Sequence, residues 1–201
     1  MLIESLQNEK VKFLSRLVMD NRFRKNSGVF AVEGKQENER ARRFGFEPKE
    51  YFICETIFGE EIPASKVHLV SEKVYEKVAY RGTSQGIIGI YKAKEFSLKD
   101  FSPEENSSII IVEGAEKPGN LGAILRSCEA FGIDALIVTD PKVDFYNPNV
   151  IRSSVGCFFG MNAFAETNDE VLAFLKKQNY RIYSTYMAED AANLFDKNLK
   201  N

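Results

Sequence analysis

The sequence is poor in the residues that build metal centres, disulfide scaffolds and hydrolytic triads. It holds one histidine, His68, and three cysteines, Cys54, Cys128 and Cys157, with no Cys-x-x-Cys spacing. That set supports neither a zinc site nor a disulfide framework, so no metal is expected and the cysteines read as reduced packing residues. His68 stands in Lys66-Val67-His68-Leu69-Val70, an alternating strand pattern in which a surface or hydrogen-bonded imidazole is expected. A Ser-His-Asp hydrolase would have to use it and is rejected. No apolar run approaches bilayer length, and Glu4, Glu9 and Lys10 interrupt the start where a signal peptide needs a continuous apolar stretch. No membrane partner is expected, and the chain reads as cytoplasmic. Excess charge of one sign is missing too: 27 Lys and Arg against 29 Asp and Glu leave a net charge of -2. General attraction to nucleic acid is thereby excluded, and any such contact must come from local basic clusters.

What is present is a globular composition, 201 residues with 44% hydrophobic content, enough for one large or two small cores. No internal repeat is visible. Leu6, Val11, Leu14, Leu17 and Val18 recur at near-helical spacing and predict an amphipathic helix ending near Asp20. Strands are predicted at 29–32, 51–54, 67–70 and 86–91, with helices at 39–43 and 72–79. Residues 1–94 therefore read as a small α/β domain. Residues 95–107 are polar, interrupted by Phe96, Leu98 and Phe101, and suit a linker. From residue 108 to 201, strands at 109–112, 135–139 and 181–185 alternate with helical segments at 121–131, 148–154 and 169–177, which implies a parallel sheet. The stretch from Asp190 to Asn201 reads as a loop or frayed helix.

Within the second domain, Lys117-Pro118-Gly119-Asn120-Leu121-Gly122-Ala123-Ile124-Leu125-Arg126 is followed by Phe145-Tyr146-Asn147-Pro148-Asn149-Val150-Ile151-Arg152-Ser153-Ser154-Val155-Gly156. Each places Asn beside Gly or Pro after an apolar run, then an Arg one to two helical turns later. Such corners at the carboxyl ends of strands are where open α/β sheets bind ligands. Nucleotide motifs fail here: Gly114 and Gly119 have P-loop spacing, but Asn120 and Leu121 stand where Lys and Ser or Thr are needed, and no Gly-x-Gly-x-x-Gly occurs.

The pair, in this order and with both arginines, resembles the first two motifs of the SpoU/TrmH branch of the SPOUT RNA methyltransferases. Ser5-Leu6-Gln7-Asn8 to Lys25, Gly28 to Gly34, and Thr83-Ser84-Gln85-Gly86-Ile87 resemble that family's small RNA-binding domain. The resemblance implies a small α/β RNA-binding domain followed by a SPOUT-type, trefoil-knot parallel-sheet domain. It also implies ribose 2'-O-methylation of tRNA or rRNA, S-adenosyl-L-methionine as donor, and a homodimer through the second domain, with Leu121, Ile124 and Leu125 available for the contact. The family's third motif, which builds most of the donor pocket, is not found within the 201 residues. The domain is thus expected to be incomplete, and this chain to bind the donor weakly.

By the same resemblance Arg126 is the catalytic arginine. A guanidinium stays protonated, so a role in binding phosphate and stabilising alkoxide charge is physically better than a general base; a structural salt bridge is the competing reading. Asn120 is a candidate for capping the helix, for contacting substrate, or both. Arg152, Ser153 and Ser154 follow a Pro-initiated helical turn and are phosphate candidates, with a capping serine and a solvated arginine as the alternative. Asn147 shapes that turn and counts with them as an RNA- or phosphate-binding candidate. Arg22, Arg24 and Lys25 form a basic patch suited to RNA phosphates, as do Arg40, Arg42 and Arg43, unless these are merely solvated faces. Ser184 and Thr185 would lie at the edge of the donor pocket. The other class of function is a non-catalytic RNA-binding or dimerisation module that keeps the fold.

Overall fold

Capping residues set where the first helices begin and end. After the short strand β1 (Leu2–Ile3), Asn8 accepts a hydrogen bond from the Lys10 N–H at 3.0 Å and opens α1 (Glu9–Met19), which buries Val11, Leu14, Leu17 and Val18. Asp20 ends α1 and caps α2 (Asn21–Ser27), accepting from the Phe23 N–H at 2.9 Å. The chain continues through β2 (Val29–Glu33), α3 (Lys35–Arg43), β3 (Pro48–Ile53), β4 (Val67–Val70), α4 (Glu72–Val78) and β5 (Ile87–Lys92). These strands form one mixed sheet in the order β1-β4-β3-β5-β2. In it β4 runs parallel to β1 and β3, and β5 antiparallel to β2 and β3. The computed structural model describes residues 2–62, 66–80, 85–185, 189 and 191–197. Thr83, Ser84, Asp190 and residues 198–201, which carried sequence expectations, lie outside the described residues.

From residue 109 strand and helix alternate as β6 (Ile109–Glu113), α5 (Pro118–Phe131), β7 (Ala135–Thr139), α6 (Pro148–Ser153), β8 (Asn162–Glu166) and α7 (Asn168–Lys177). The sheet is parallel in the order β6-β7-β8, and its central strand β7 is buried along its whole length, the pattern expected of a strand covered on both faces. The third strand corrects the sequence reading. It is β8, whereas residues 181–185 are in no strand, with Ile182 and Tyr183 exposed. Asn-Ala-Phe-Ala-Glu is poor in the branched residues that mark strands, and only burial of Ala163 and Phe164 selects it.

The two sheets share a core. Phe30, Val32, Phe46 and Tyr91 from the first belong to one buried cluster with Leu121, Leu125, Val150, Ile151, Phe158 and Phe159 from the second. The rings of Phe30 and Tyr146 lie 4.3 Å apart, and those of Phe46 and Phe159 meet edge to face at 5.0 Å. The segment expected to be a free linker is fastened as well. Leu98 is buried and its N–H donates to Glu166 Oε1 at 3.0 Å, while Phe101 packs against Phe164 at 5.2 Å.

Candidate functional site

The two Asn-containing corners meet because Gly122 has no side chain. A Cβ there would overlap Ser153 Oγ and stand 2.8 Å from the Ser154 backbone N, so only glycine lets α5 lie this close to α6. Gly119 faces Asn149 in the same crossing, with 3.9 Å between a built Cβ and Asn149 Nδ2. Pro118 is the first residue of α5, and Gly114 takes φ +61° at the preceding turn. Asn147, expected to shape the turn, also caps α6, its side chain accepting from the Asn149 N–H at 2.9 Å.

Arg126 projects from α5 into solvent and makes no ion pair or hydrogen bond among the described residues, which removes the structural salt bridge as its explanation. Its charge is felt at Cys157, where Arg40 of α3 also pairs with Glu129. The Cys157 thiol donates to Glu129 Oε2 at 2.8 Å, and burial together with that bond pushes its pKa up to about 11. It stays a thiol at neutral pH and is no nucleophile. Asn120 is the third residue of α5, not its cap. Lys117 occupies the cap position without a side-chain bond, and Asn120 is exposed. Capping is thereby removed from the roles expected for Asn120.

Several other candidate side chains are engaged within the fold. Arg24 is only 4% exposed and faces inward. Its Nη1 donates to the Leu17 and Val18 carbonyls at 2.8 and 3.1 Å, closing the C-terminal end of α1, and its Nη2 meets Asp144 Oδ2 at 2.9 Å. It is a tie between the two sheets and cannot reach an RNA phosphate. Arg22 and Lys25 are exposed. Arg152 is not a solvated arginine: Nη1 donates to Glu33 Oε1 of β2 at 3.1 Å, and the same glutamate accepts from the Tyr80 N–H. Burial raises the Glu33 pKa despite both partners. Ser154 is fully buried with its hydroxyl on the Ile151 carbonyl, and the Ser153 hydroxyl donates to the Asn149 carbonyl. These serines hold the helix and its packing instead of presenting hydroxyls to an anion. Arg40 of the second basic cluster is likewise engaged with Glu129.

His68 lies 2.7 Å from Glu50 Oε2, satisfied at the surface as anticipated. Cys54, Cys128 and Cys157 are free and buried. Among the described residues no group of ligating side chains suits a metal, and no helix is long and apolar enough to cross a membrane.

Comparison with known proteins follows the same division of the chain. Residues 107–201 match the SpoU rRNA Methylase family, and residues 8–89 match the MRM3-like substrate binding domain. A crystal structure of an RNA 2'-O ribose methyltransferase is 36% identical, with a TM-score of 0.77 over 89% of this chain and 70% of that one. The chain belongs to the SpoU/TrmH family of RNA 2'-O-ribose methyltransferases. RlmP of Bacillus subtilis, a 23S rRNA guanosine 2'-O-methyltransferase, is 25% identical over 94% of this chain and 75% of its own. An AdoMet-bound rRNA methyltransferase from Sinorhizobium meliloti shares the fold at 22% identity, with a TM-score of 0.77 over 88% of this chain and 68% of that one. The chain spans less than half the length of the mitochondrial rRNA methyltransferases it matches.

The two residues expected at the edge of a methyl-donor pocket form no such edge among the described residues. Ser184 and Thr185, expected at the edge of a pocket at a strand end, are exposed and belong to no strand.

Proposed function

We propose that this chain acts in 2'-O-ribose methylation of RNA, with S-adenosyl-L-methionine as donor and rRNA as the substrate class that its relatives' names favour over tRNA. One observation carries the reading: Arg126 stands exposed, with no ion pair or hydrogen bond among the described residues, on a helix that the missing side chain of Gly122 lets lie against Ser153 of the Asn147–Ser153 corner. A guanidinium so placed binds the phosphate beside the target ribose and stabilises negative charge on the 2'-oxygen. Asn120, exposed in the first turn of the same helix, offers donor and acceptor to the sugar. The donor supplies an electrophilic methyl group when bound. The test is genetic and chemical: deleting the gene should remove a 2'-O-methyl mark from rRNA, and restoring it should return the mark. A methylation map of rRNA and tRNA unchanged by deletion would defeat the proposal.

The second reading, an RNA-binding module without donor, is favoured by the exposure of Ser184 and Thr185 for the polypeptide 1–201 taken by itself. That polypeptide is expected to show no donor binding at micromolar concentrations in calorimetric titration. One-to-one binding with a micromolar Kd would mean that unrecognised residues build the pocket.

Self-association belongs to the same proposal, but its surface differs from expectation. Leu121 and Leu125 are fully buried within the chain, while Phe131 at the end of α5 is 82% exposed. A second copy covering Phe131 and the half-buried Ile124 would explain that apolar surface. Sedimentation at micromolar concentration should give a species heavier than the 22.8 kDa chain, and Phe131→Asp should return it to monomer. A wild-type chain that sediments only as monomer would speak against the contact.

A further inference from the structure

A cleft of about 200 Å³ opens between α2, the segment after β5 and the β7–α6 loop. Its rim and walls include Asn21, Lys25, Lys94, Phe96, Lys142 and Phe145. It is smaller than the roughly 300–1,000 Å³ that hold drug-sized ligands, so a donor with adenosyl and methionyl parts does not fit, whereas a single planar ring does. The walls are aromatic. Phe145 stacks on Phe158 with centroids 5.4 Å apart and planes 6° from parallel, and Phe96 stands edge-on to Phe158 at 6.4 Å. Phe96 is 39% exposed, unusual for a phenylalanine this close to a core.

Charge on the rim is positive once the pairs are set aside. Lys142 is neutralised by Asp140 at 2.7 Å, and Asp144 by Arg24. Lys25 has no ion pair among the described residues. Lys94 Nζ donates to the neutral Phe44 carbonyl at 2.9 Å, lies 4.4 Å from the Phe46 ring centroid and has no acidic partner among the described residues. Asn21, exposed on the rim, presents an amide that can both donate to and accept from a base edge. Aromatic faces flanked by two uncompensated ammonium groups are the chemistry that holds a base by stacking and its phosphate by charge.

We propose that this cleft receives one unpaired nucleotide of the RNA, its base against Phe96 and Phe145 and its phosphate on Lys25. The proposal rests on the reading of the chain as an RNA methyltransferase and adds a subsite for a nucleotide other than the one methylated. Tyr146 fixes the wall: its hydroxyl donates to the Lys94 carbonyl at 2.7 Å and accepts from the Lys94 N–H at 2.8 Å. The subsite is therefore in place before RNA arrives.

The test is fluorescence anisotropy of the whole chain with a labelled single-stranded oligouridine and with a labelled hairpin stem. Phe96→Ala should weaken oligouridine binding at least roughly fivefold and stem binding less, since base stacking on one aromatic is lost. Lys25→Gln should reduce the slope of log K against log salt by about 0.7. Wild-type affinity and slope in both variants, with unchanged circular dichroism, would overturn the cleft. Wild-type chain that binds the stem but not the oligouridine would overturn the cleft alone. Binding of neither RNA would overturn the cleft and the methylation reading together.

Discussion

Arg126→Lys is expected to lower ribose methylation by roughly a hundredfold, the scale of losing one preorganised donor to a developing oxyanion, while leaving thermal stability unchanged. The structure explains both halves of that result. Arg126 holds nothing in place: it is exposed and has no partner among the described residues, so its removal costs the fold nothing. Lysine keeps the positive charge but not the planar fork that grips a phosphate through two parallel N–H bonds, and that fork is what the proposed role requires. The measurement is the level of the 2'-O-methyl mark in cells carrying the variant gene, beside the melting temperature of the purified variant. A near-normal mark in the lysine variant would show that charge alone suffices.

Arg24→Met is expected to behave in the opposite way, destabilising the protein by about 3–5 kcal/mol, because it strands a buried partner. Asp144, at 12% side-chain exposure, would lose its only ion pair among the described residues, and the Leu17 and Val18 carbonyls would lose their shared donor. Urea unfolding with a matched slope is the check. Replacing the pair together, as Arg24→Met with Asp144→Leu, should recover part of the loss, since a buried ion pair often gives way to apolar side chains at little cost. A single Arg24→Met variant within 1 kcal/mol of wild type would mean that water reaches the site and satisfies Asp144.

Arg24 also marks the limit of what the sequence alone conveys. Arg22-Phe23-Arg24-Lys25 shows four side chains in a row and predicts a basic surface, but the burial of one of them depends on Asp144, which is 120 residues away in the chain. The same holds for Arg152, whose partner Glu33 belongs to another sheet. Local chemistry, by contrast, was legible. The Asn-Gly and Asn-Pro corners, the helix expected at 121–131, which begins three residues earlier at Pro118, the turn at Asn147 and the strands at β2, β4, β6 and β7 follow from turn residues and apolar periodicity. The third parallel strand was missed because Asn162-Ala163-Phe164-Ala165-Glu166 carries almost no strand preference of its own, while Arg181 to Thr185 does. The cleft at Phe96 was invisible for a related reason: its lining comes from segments that only the fold brings together.

The aromatic core shared by the two sheets has a consequence for how RNA is chosen. Modules joined by a flexible tether can search independently for two features of a target, but an interface as large and apolar as that around Phe30, Phe46, Phe158 and Phe159 leaves no hinge between them. If both proposed contacts are made, the span from Lys25 to Arg126 is a length set by that shared core, and the protein would work as a ruler. On that reading an RNA would qualify only if its own fold set a ribose at that distance from the nucleotide it offers, and the bending and unpairing needed for recognition would fall to the nucleic acid.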